Sequence, residues 1–212
     1  VGSTTLTFVD AGRGRFPLVL VAHGNCGFRT NYEFLTTHLA SRGVVVAAPD
    51  FPGFNKAACD AGPESGLIDE PPVDLAFLAT TFTEPDGVAA RFARSVRTRQ
   101  VGLVGHSLGG LAVLNAAVAD DRFTAVVGLA PIANAALAAR FVALHRHRAV
   151  AVMGGTADTT VPVAMVAAPF YGALPAPSFL VTITGGTHSG FTDMESHLSV
   201  AQLARQEDIV RR

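Results

Sequence analysis

Short apolar runs alternate along the chain with longer stretches whose apolar residues recur every three or four positions. The runs Leu18–Val21, Val44–Ala48, Val101–Val104, Ala125–Leu129, Val150–Met153 and Phe179–Ile183 are of strand length and are rich in Val, Leu and Ile. Between and around them, Tyr32–Ser41, Val73–Thr83, Val88–Val96, Leu108–Ala119, Ala135–His145, Val163–Ala173 and Glu195–Val210 have helical composition or spacing. Such alternation predicts an α/β fold, a mostly parallel sheet with helices on both faces. Thr4–Val9 alternates apolar and polar residues and is expected as an edge strand, set off by the turn-rich Ala11-Gly12-Arg13-Gly14. Phe54–Pro72 carries Gly, Pro, Asp and Glu without periodicity and reads as a long loop, functional or mobile. No inserted helical block is large enough for a cap domain, so residues 1–212 read as one domain with an open site.

One junction between a run and a helix carries chemistry. Gly105-His106-Ser107-Leu108-Gly109 has the form G-x-S-x-G and stands between the strand ending at Val104 and the helix opening at Leu108. Glycines flanking a serine on so sharp a turn let strand and helix approach closely and push the hydroxyl out of the backbone. The free N–H groups and positive end of the following helix point at the same spot, where an oxyanion would develop. The bland reading is a glycine-rich turn with a serine helix cap, so the partners decide.

A serine hydroxyl becomes a nucleophile when a histidine takes its proton and a carboxylate fixes that histidine's tautomer. Asp158 lies in the loop leaving the strand Val150–Met153, and His188 in the loop leaving Phe179–Ile183. The order Ser107, Asp158, His188, each after a separate strand, is that of the nucleophile-elbow hydrolases. His106 and His23 read as packed structural histidines, while His38, His145, His147 and His197 fall in or beside helical stretches. No carboxylate stands in Gly128-Leu129-Ala130-Pro131 after the preceding strand, and Asp120 and Asp121 stand before that strand, at the wrong edge. His23-Gly24-Asn25-Cys26-Gly27 follows the first central strand in the form H-G-x-x-G, so the Asn25 N–H, with that of Leu108, is expected to form the oxyanion hole.

Composition narrows the remaining choices. With 212 residues, 49% hydrophobic and 16% charged, the chain can bury a substantial core. A net charge of −1 with scattered Lys and Arg argues against nucleic acid as a partner. No apolar stretch approaches the roughly 20 residues of a membrane span. The start at Val1 offers no targeting signal to read, and secretion stays open. Two cysteines, Cys26 and Cys59, are too few for a disulfide scaffold or zinc site; they fall in loops expected on one sheet edge and are either bridged across the rim or two free thiols. No metal or organic cofactor is implied.

These residues resemble the α/β-hydrolase-fold serine esterases over nearly the whole chain. His23-Gly24-Asn25-Cys26-Gly27-Phe28-Arg29-Thr30-Asn31-Tyr32 and Leu39–Asp50 resemble the platelet-activating-factor acetylhydrolase and chlorophyllase-like branch. Asp158-Thr159-Thr160-Val161-Pro162, Pro169-Phe170-Tyr171 and Gly186-Thr187-His188 are similar to cutinase-like polyester hydrolases of the dienelactone-hydrolase-related group. The acetylhydrolase acid would follow the strand after the nucleophile helix, where this chain has Ala130-Pro131, so the acid pattern resembles the cutinase-like one. Polyester hydrolases usually carry a tryptophan near the position of Pro131-Ile132 and a methionine at that of Leu108; this chain has no Trp. The resemblance implies a serine carboxylic ester hydrolase acting through an acyl-enzyme on short to medium acyl esters, small or polymeric. Phe28, Phe54, Ile132, Val161 and Phe191 are expected to line the pocket of a monomeric enzyme. The alternatives are a lipase or acetylhydrolase-like activity on lipid esters, an acyltransferase or thioesterase with the same triad, and a catalytically silent binding protein.

Overall fold

In the computed structural model, residues 14–61, 71–84, 93–144, 148–194 and 208 are described. Six strands, β1 (Phe16–Ala22), β2 (Val45–Ala47), β3 (Val96–His106), β4 (Phe123–Leu129), β5 (Ala149–Gly155) and β6 (Ser178–Ile183), form one sheet in the order β2-β1-β3-β4-β5-β6. Every neighbouring pair is parallel. Among the described residues the helices are α1 (Glu33–Ser41), α2 (Lys56–Ala61), α3 (Pro71–Thr83), α4 (Leu108–Ala119), α5 (Ala135–Val142) and α6 (Ala167–Gly172). None is long and apolar enough to cross a membrane.

Successive strand residues face opposite layers, as a pleated strand requires. Leu18 and Leu20 of β1 and Leu103 of β3 pack with residues of α3, α4, α5 and α6, while Val21 and Val104 pack with Phe34 and Leu35 of α1 and with Phe191. A fully buried Leu or Phe stabilises by about 2–3 kcal/mol, and both layers contain several. Since both faces are covered, the strands read as continuous apolar runs rather than alternating ones.

The chain steps outward from β1 to β2 and then returns to the other side of β1 to begin β3. The strand order therefore reverses between β1 and β3, the point at whose carboxyl edge open parallel sheets characteristically bind their ligands. Ala22, the last residue of β1, pairs in register with Gly105 near the end of β3, so the loop after β1 lies beside the turn after β3.

Several elements depart from expectation. Val96 opens β3 rather than closing a helix over Val88–Val96; it is fully buried and pairs with Phe16, and residues 88–92 lie outside the described residues. Three residues of β1, Phe16 to Leu18, oppose the six of the β3 stretch Val96–Val101, so Arg97–Gln100 bulge outward and are exposed. The segment Phe54–Pro72 is not one long loop: Lys56–Ala61 is helical and α3 begins at Pro71, with residues 62–70 outside the description. The helix expected over Val163–Ala173 starts at Ala167. Pro169 would clash with the carbonyl four residues back in a helix running through from Val163, so it sits in the first turn, where its missing N–H costs nothing. The helix expected to reach His145 ends at Val142. Thr4–Val9, His145, His147, His197 and all of Glu195–Val210 except the helical Asp208 lie outside the described residues.

Candidate active site

Ser107 occupies the turn between β3 and α4 with φ 54° and ψ −117°. For a residue with a Cβ that conformation costs about 1–3 kcal/mol and persists only where surrounding bonds over-determine it. Those bonds are present: Ser107 N–H donates to the Leu129 carbonyl (3.0 Å), and the Ser107 carbonyl accepts from Ile132 N–H (3.1 Å) and Leu111 N–H (3.2 Å). Glycine is required on either side of the turn. A Cβ on Gly105 would lie 2.2 Å from the Gly109 carbonyl oxygen, and one on Gly109 would lie 2.3 Å from that of His23. The other two non-glycine residues with positive φ among those described are Cys26, in the loop after β1, and Ala130, just past β4. All three lie where the chain leaves the carboxyl edge of the sheet.

Asp158 and His188, which leave β5 and β6 at the same edge, are hydrogen-bonded, with His188 Nδ1 2.8 Å from Asp158 Oδ2. The other carboxylate oxygen, Oδ1, accepts from the N–H groups of Thr160 (2.9 Å) and Val161 (2.8 Å). The Asp158 side chain is completely buried and that of His188 is mostly so. A carboxylate held by two backbone donors keeps its orientation, fixes the proton of His188 on Nδ1 and leaves Nε2 with its lone pair. Thr160 and Val161 thus act on the site through their backbone.

His188 is fastened beside the serine turn by a residue that reads in the sequence as packing. His106 Nε2 is 3.1 Å from the His188 carbonyl oxygen, and the two imidazole centroids are 4.6 Å apart. Burial above all, reinforced by the proximity of His188, pulls the His106 pKa down to about 3, so this ring is neutral at ordinary pH. Among the described residues the Ser107 hydroxyl makes no hydrogen bond, yet no fully buried polar side-chain atom lacks a partner, so its oxygen is open to solvent. A serine nucleophile often waits in this way, its bond to the base tightening only when substrate binds.

The loop after β1 passes against the serine: a Cβ on Gly24 would lie 3.3 Å from Ser107 Cβ. His23 is structural, its Nδ1–H donating to the Gly24 carbonyl (2.8 Å) while Nε2 accepts from Phe51 N–H (3.0 Å). Burial lowers its pKa. Cys26 and Cys59 are joined as a disulfide with Cα atoms 5.6 Å apart, tying this loop to α2. Cys26 N–H donates to the Phe54 carbonyl (2.8 Å) and Lys56 N–H to that of Gly27 (2.9 Å). Arg29 pairs with Asp50, three residues past the end of β2, and ties the far side of the loop to that segment. The N–H groups of Asn25 and Leu108 have no acceptor among the described residues.

The expected pocket residues divide. Ile132 is 41% exposed and its N–H is bonded to Ser107. Phe28 is half-buried, and Val161 is buried beside Asp158. Phe54 and Phe191 are corrections, because both belong to the core. Phe54 stacks on Phe51 with ring centroids 5.3 Å apart, and Phe191 is fully buried with its ring 6.1 Å from that of His106. Met165, in the connection between β5 and α6, and Met194, after the turn carrying His188, are exposed apolar side chains. Among the described residues no three His, Cys, Asp or Glu side chains gather as a metal site.

Comparison with known proteins agrees with this layout. The model of a family described as the alpha/beta hydrolase family matches residues 18–204, most of the chain, including all of the sheet but the first two residues of β1. No curated protein matches the chain.

Proposed function

From the premise that the chain belongs to the alpha/beta hydrolase family, we propose that this hydrolase cleaves carboxylic esters through an acyl-enzyme. Ser107 is the nucleophile, His188 the general base and then acid, and Asp158 the residue that orients it. The observation carrying this reading is the strained Ser107 turn tied, through the neighbouring His106, to a histidine whose Nδ1 is bonded to a buried carboxylate.

Ser107 Oγ attacks the acyl carbon while His188 Nε2 takes its proton. The resulting imidazolium is stabilised by Asp158, which stays ionised. Negative charge gathers on the former carbonyl oxygen, where the Asn25 and Leu108 N–H groups receive it. Each such donor is worth about 3 kcal/mol in the transition state, because it is fixed before the reaction begins. His188 then protonates the leaving alcohol, and the acyl-serine remains. Water, deprotonated by His188, repeats the attack and frees the acid.

Short to medium acyl esters, including ester units of a polymer, suit a site with the exposed apolar Ile132 bonded to the Ser107 turn and no cap among the described residues. The acid position after β5 makes the cutinase-like polyester hydrolases the nearer of the two resembling groups. A p-nitrophenyl ester series of increasing acyl length tests the reading in the wild type, Ser107→Ala and His188→Ala. Both variants are expected to lose activity by at least about 10³-fold. Hydrolysis persisting in Ser107→Ala overturns the mechanism.

A further inference from the structure

Two buried titratable side chains have no part in the mechanism above, yet form an unbroken chain of hydrogen bonds from the Asn25 loop to the base. Gly24 N–H donates to the Tyr32 hydroxyl (3.2 Å), the hydroxyl lies 2.9 Å from His106 Nδ1, and His106 Nε2 lies 3.1 Å from the His188 carbonyl oxygen. The two ends of this chain dictate its polarity. A backbone N–H can only donate and a carbonyl can only accept. His106 therefore carries its proton on Nε2 and gives it to His188, and Tyr32 gives its own to Nδ1 while accepting from Gly24. Burial holds both rings in the required state, raising the Tyr32 pKa and lowering that of His106.

We propose that Tyr32 and His106 are positioning residues that set the distance between the Ser107 turn, the Asn25 loop and the imidazole of His188. The inference rests on the esterase reading for its kinetic consequence, but not for its geometry. His106 is covalently next to Ser107 and bonded to the backbone of His188, so a displacement of the base relative to the nucleophile must stretch this bond. Tyr32 extends the same constraint to Gly24, which lies against Ser107 Cβ. The segment bearing His188 is also pinned at its far end, where Asp193 N–H donates to the Asn31 carbonyl (2.7 Å), one residue before Tyr32. A stretch of about ten residues after β1 therefore holds both the loop beside the nucleophile and the segment carrying the base. Apolar packing does not require this arrangement. A phenylalanine in place of Tyr32 and a leucine in place of His106 would fill nearly the same volume, but neither could pass a hydrogen bond onward.

The test compares Tyr32→Phe, His106→Leu and His106→Gln with the wild type, reading kcat and KM on a short p-nitrophenyl ester and amide exchange over Thr187–Met194 by mass spectrometry. Misplacing a catalytic group by a fraction of an ångström to an ångström costs about 10- to 100-fold. The expected result is a kcat loss of that order in Tyr32→Phe and His106→Leu with KM within about twofold. His106→Gln keeps a donor toward the His188 carbonyl and should recover part of the loss. Exchange over Thr187–Met194 should rise in His106→Leu and rise less in His106→Gln. Wild-type kcat in both Tyr32→Phe and His106→Leu, or unchanged exchange in His106→Leu, overturns the proposal. If the wild type hydrolyses no ester, the esterase reading falls, and the exchange measurement alone still decides the positioning role.

Discussion

Replacing Asp158 by asparagine separates the role of its charge from the role of its shape. The two carboxylate oxygens have different partners: Oδ1 accepts from Thr160 N–H at 2.9 Å and Val161 N–H at 2.8 Å, and Oδ2 faces His188 Nδ1 at 2.8 Å. An asparagine has one acceptor oxygen for these two sites. Turning its NH2 toward Thr160 and Val161 would set donors against two backbone donors in a buried pocket and leave all of them unsatisfied, at about 1–3 kcal/mol each. The amide oxygen therefore stays with the two N–H groups and the NH2 meets His188. Nδ1 must then accept, so the imidazole proton moves to Nε2, the nitrogen that receives the proton of Ser107 in the proposed mechanism. Such a tautomer reversal lowers kcat by about 10⁴-fold where the same constellation has been disabled in this way, or about 5 kcal/mol of barrier. KM and thermal stability should change little, because the backbone bonds survive. Steady-state kinetics give the first number, and the ¹⁵N shifts of the His188 ring report the tautomer. An Asp158→Asn enzyme that keeps more than a tenth of the wild-type kcat, or retains its proton on Nδ1, would refute the reasoning.

Removing the Cys26–Cys59 bridge, which spans 33 residues, should cost about 4 kcal/mol by the loop-closure relation. For a chain of this size that lowers the melting temperature by about 8–15 °C; a Cys26→Ser/Cys59→Ser double variant that melts with the wild type would contradict this. The buried His106 also makes stability depend on pH. Its folded pKa of about 3 lies below the unfolded value of about 6.5, so the unfolded chain binds the extra proton first as pH falls. The contribution is present above pH about 6.5 and drains away toward pH 3, with about 2 kcal/mol lost between pH 7 and pH 5. The lowered pKa of His23 acts in the same direction. Urea unfolding at the two pH values should show a smaller loss in His106→Gln than in the wild type, and equal losses would remove His106 as the cause.

The strands were legible because a strand covered on both faces has to be apolar along its length, and each run appears in the structure within about two residues except at the start of β3. There the chain carries Arg97, Thr98, Arg99 and Gln100, which bulge out of the sheet, and nothing in their chemistry announces a strand. The helix α2 is six residues long, too short for a period to show. Its one local signal is Asn55, whose side chain accepts from Ala58 N–H and caps the turn. Phe54 stands in a turn and Phe191 closes a short 3₁₀ turn after His188, and at either place a phenylalanine can line a pocket or fill the core. Only the packing of Phe51 on one and of His106 beside the other decides between them.

The candidate site divides along the same line between local and long-range information. Ser107, Asp158 and His188 could be singled out because each follows its own apolar run, and a parallel sheet must deliver the ends of those runs to one edge. What orients them is non-local. The Tyr32–His106 bond joins residues 74 positions apart and the His106–His188 bond joins residues 82 apart, and neither leaves a mark in periodicity or spacing. His106 shows the difference most directly. As the x of G-x-S-x-G it is a position where the motif tolerates any residue, and by burial alone it is a packed core side chain. In the positioning role its function lies in the direction of one N–H bond to the backbone of His188, and that direction is set by a glycine N–H at the other end of the chain of bonds. A substitution that kept its volume and apolar contacts would look conservative on every local criterion and still release His188 from the serine turn.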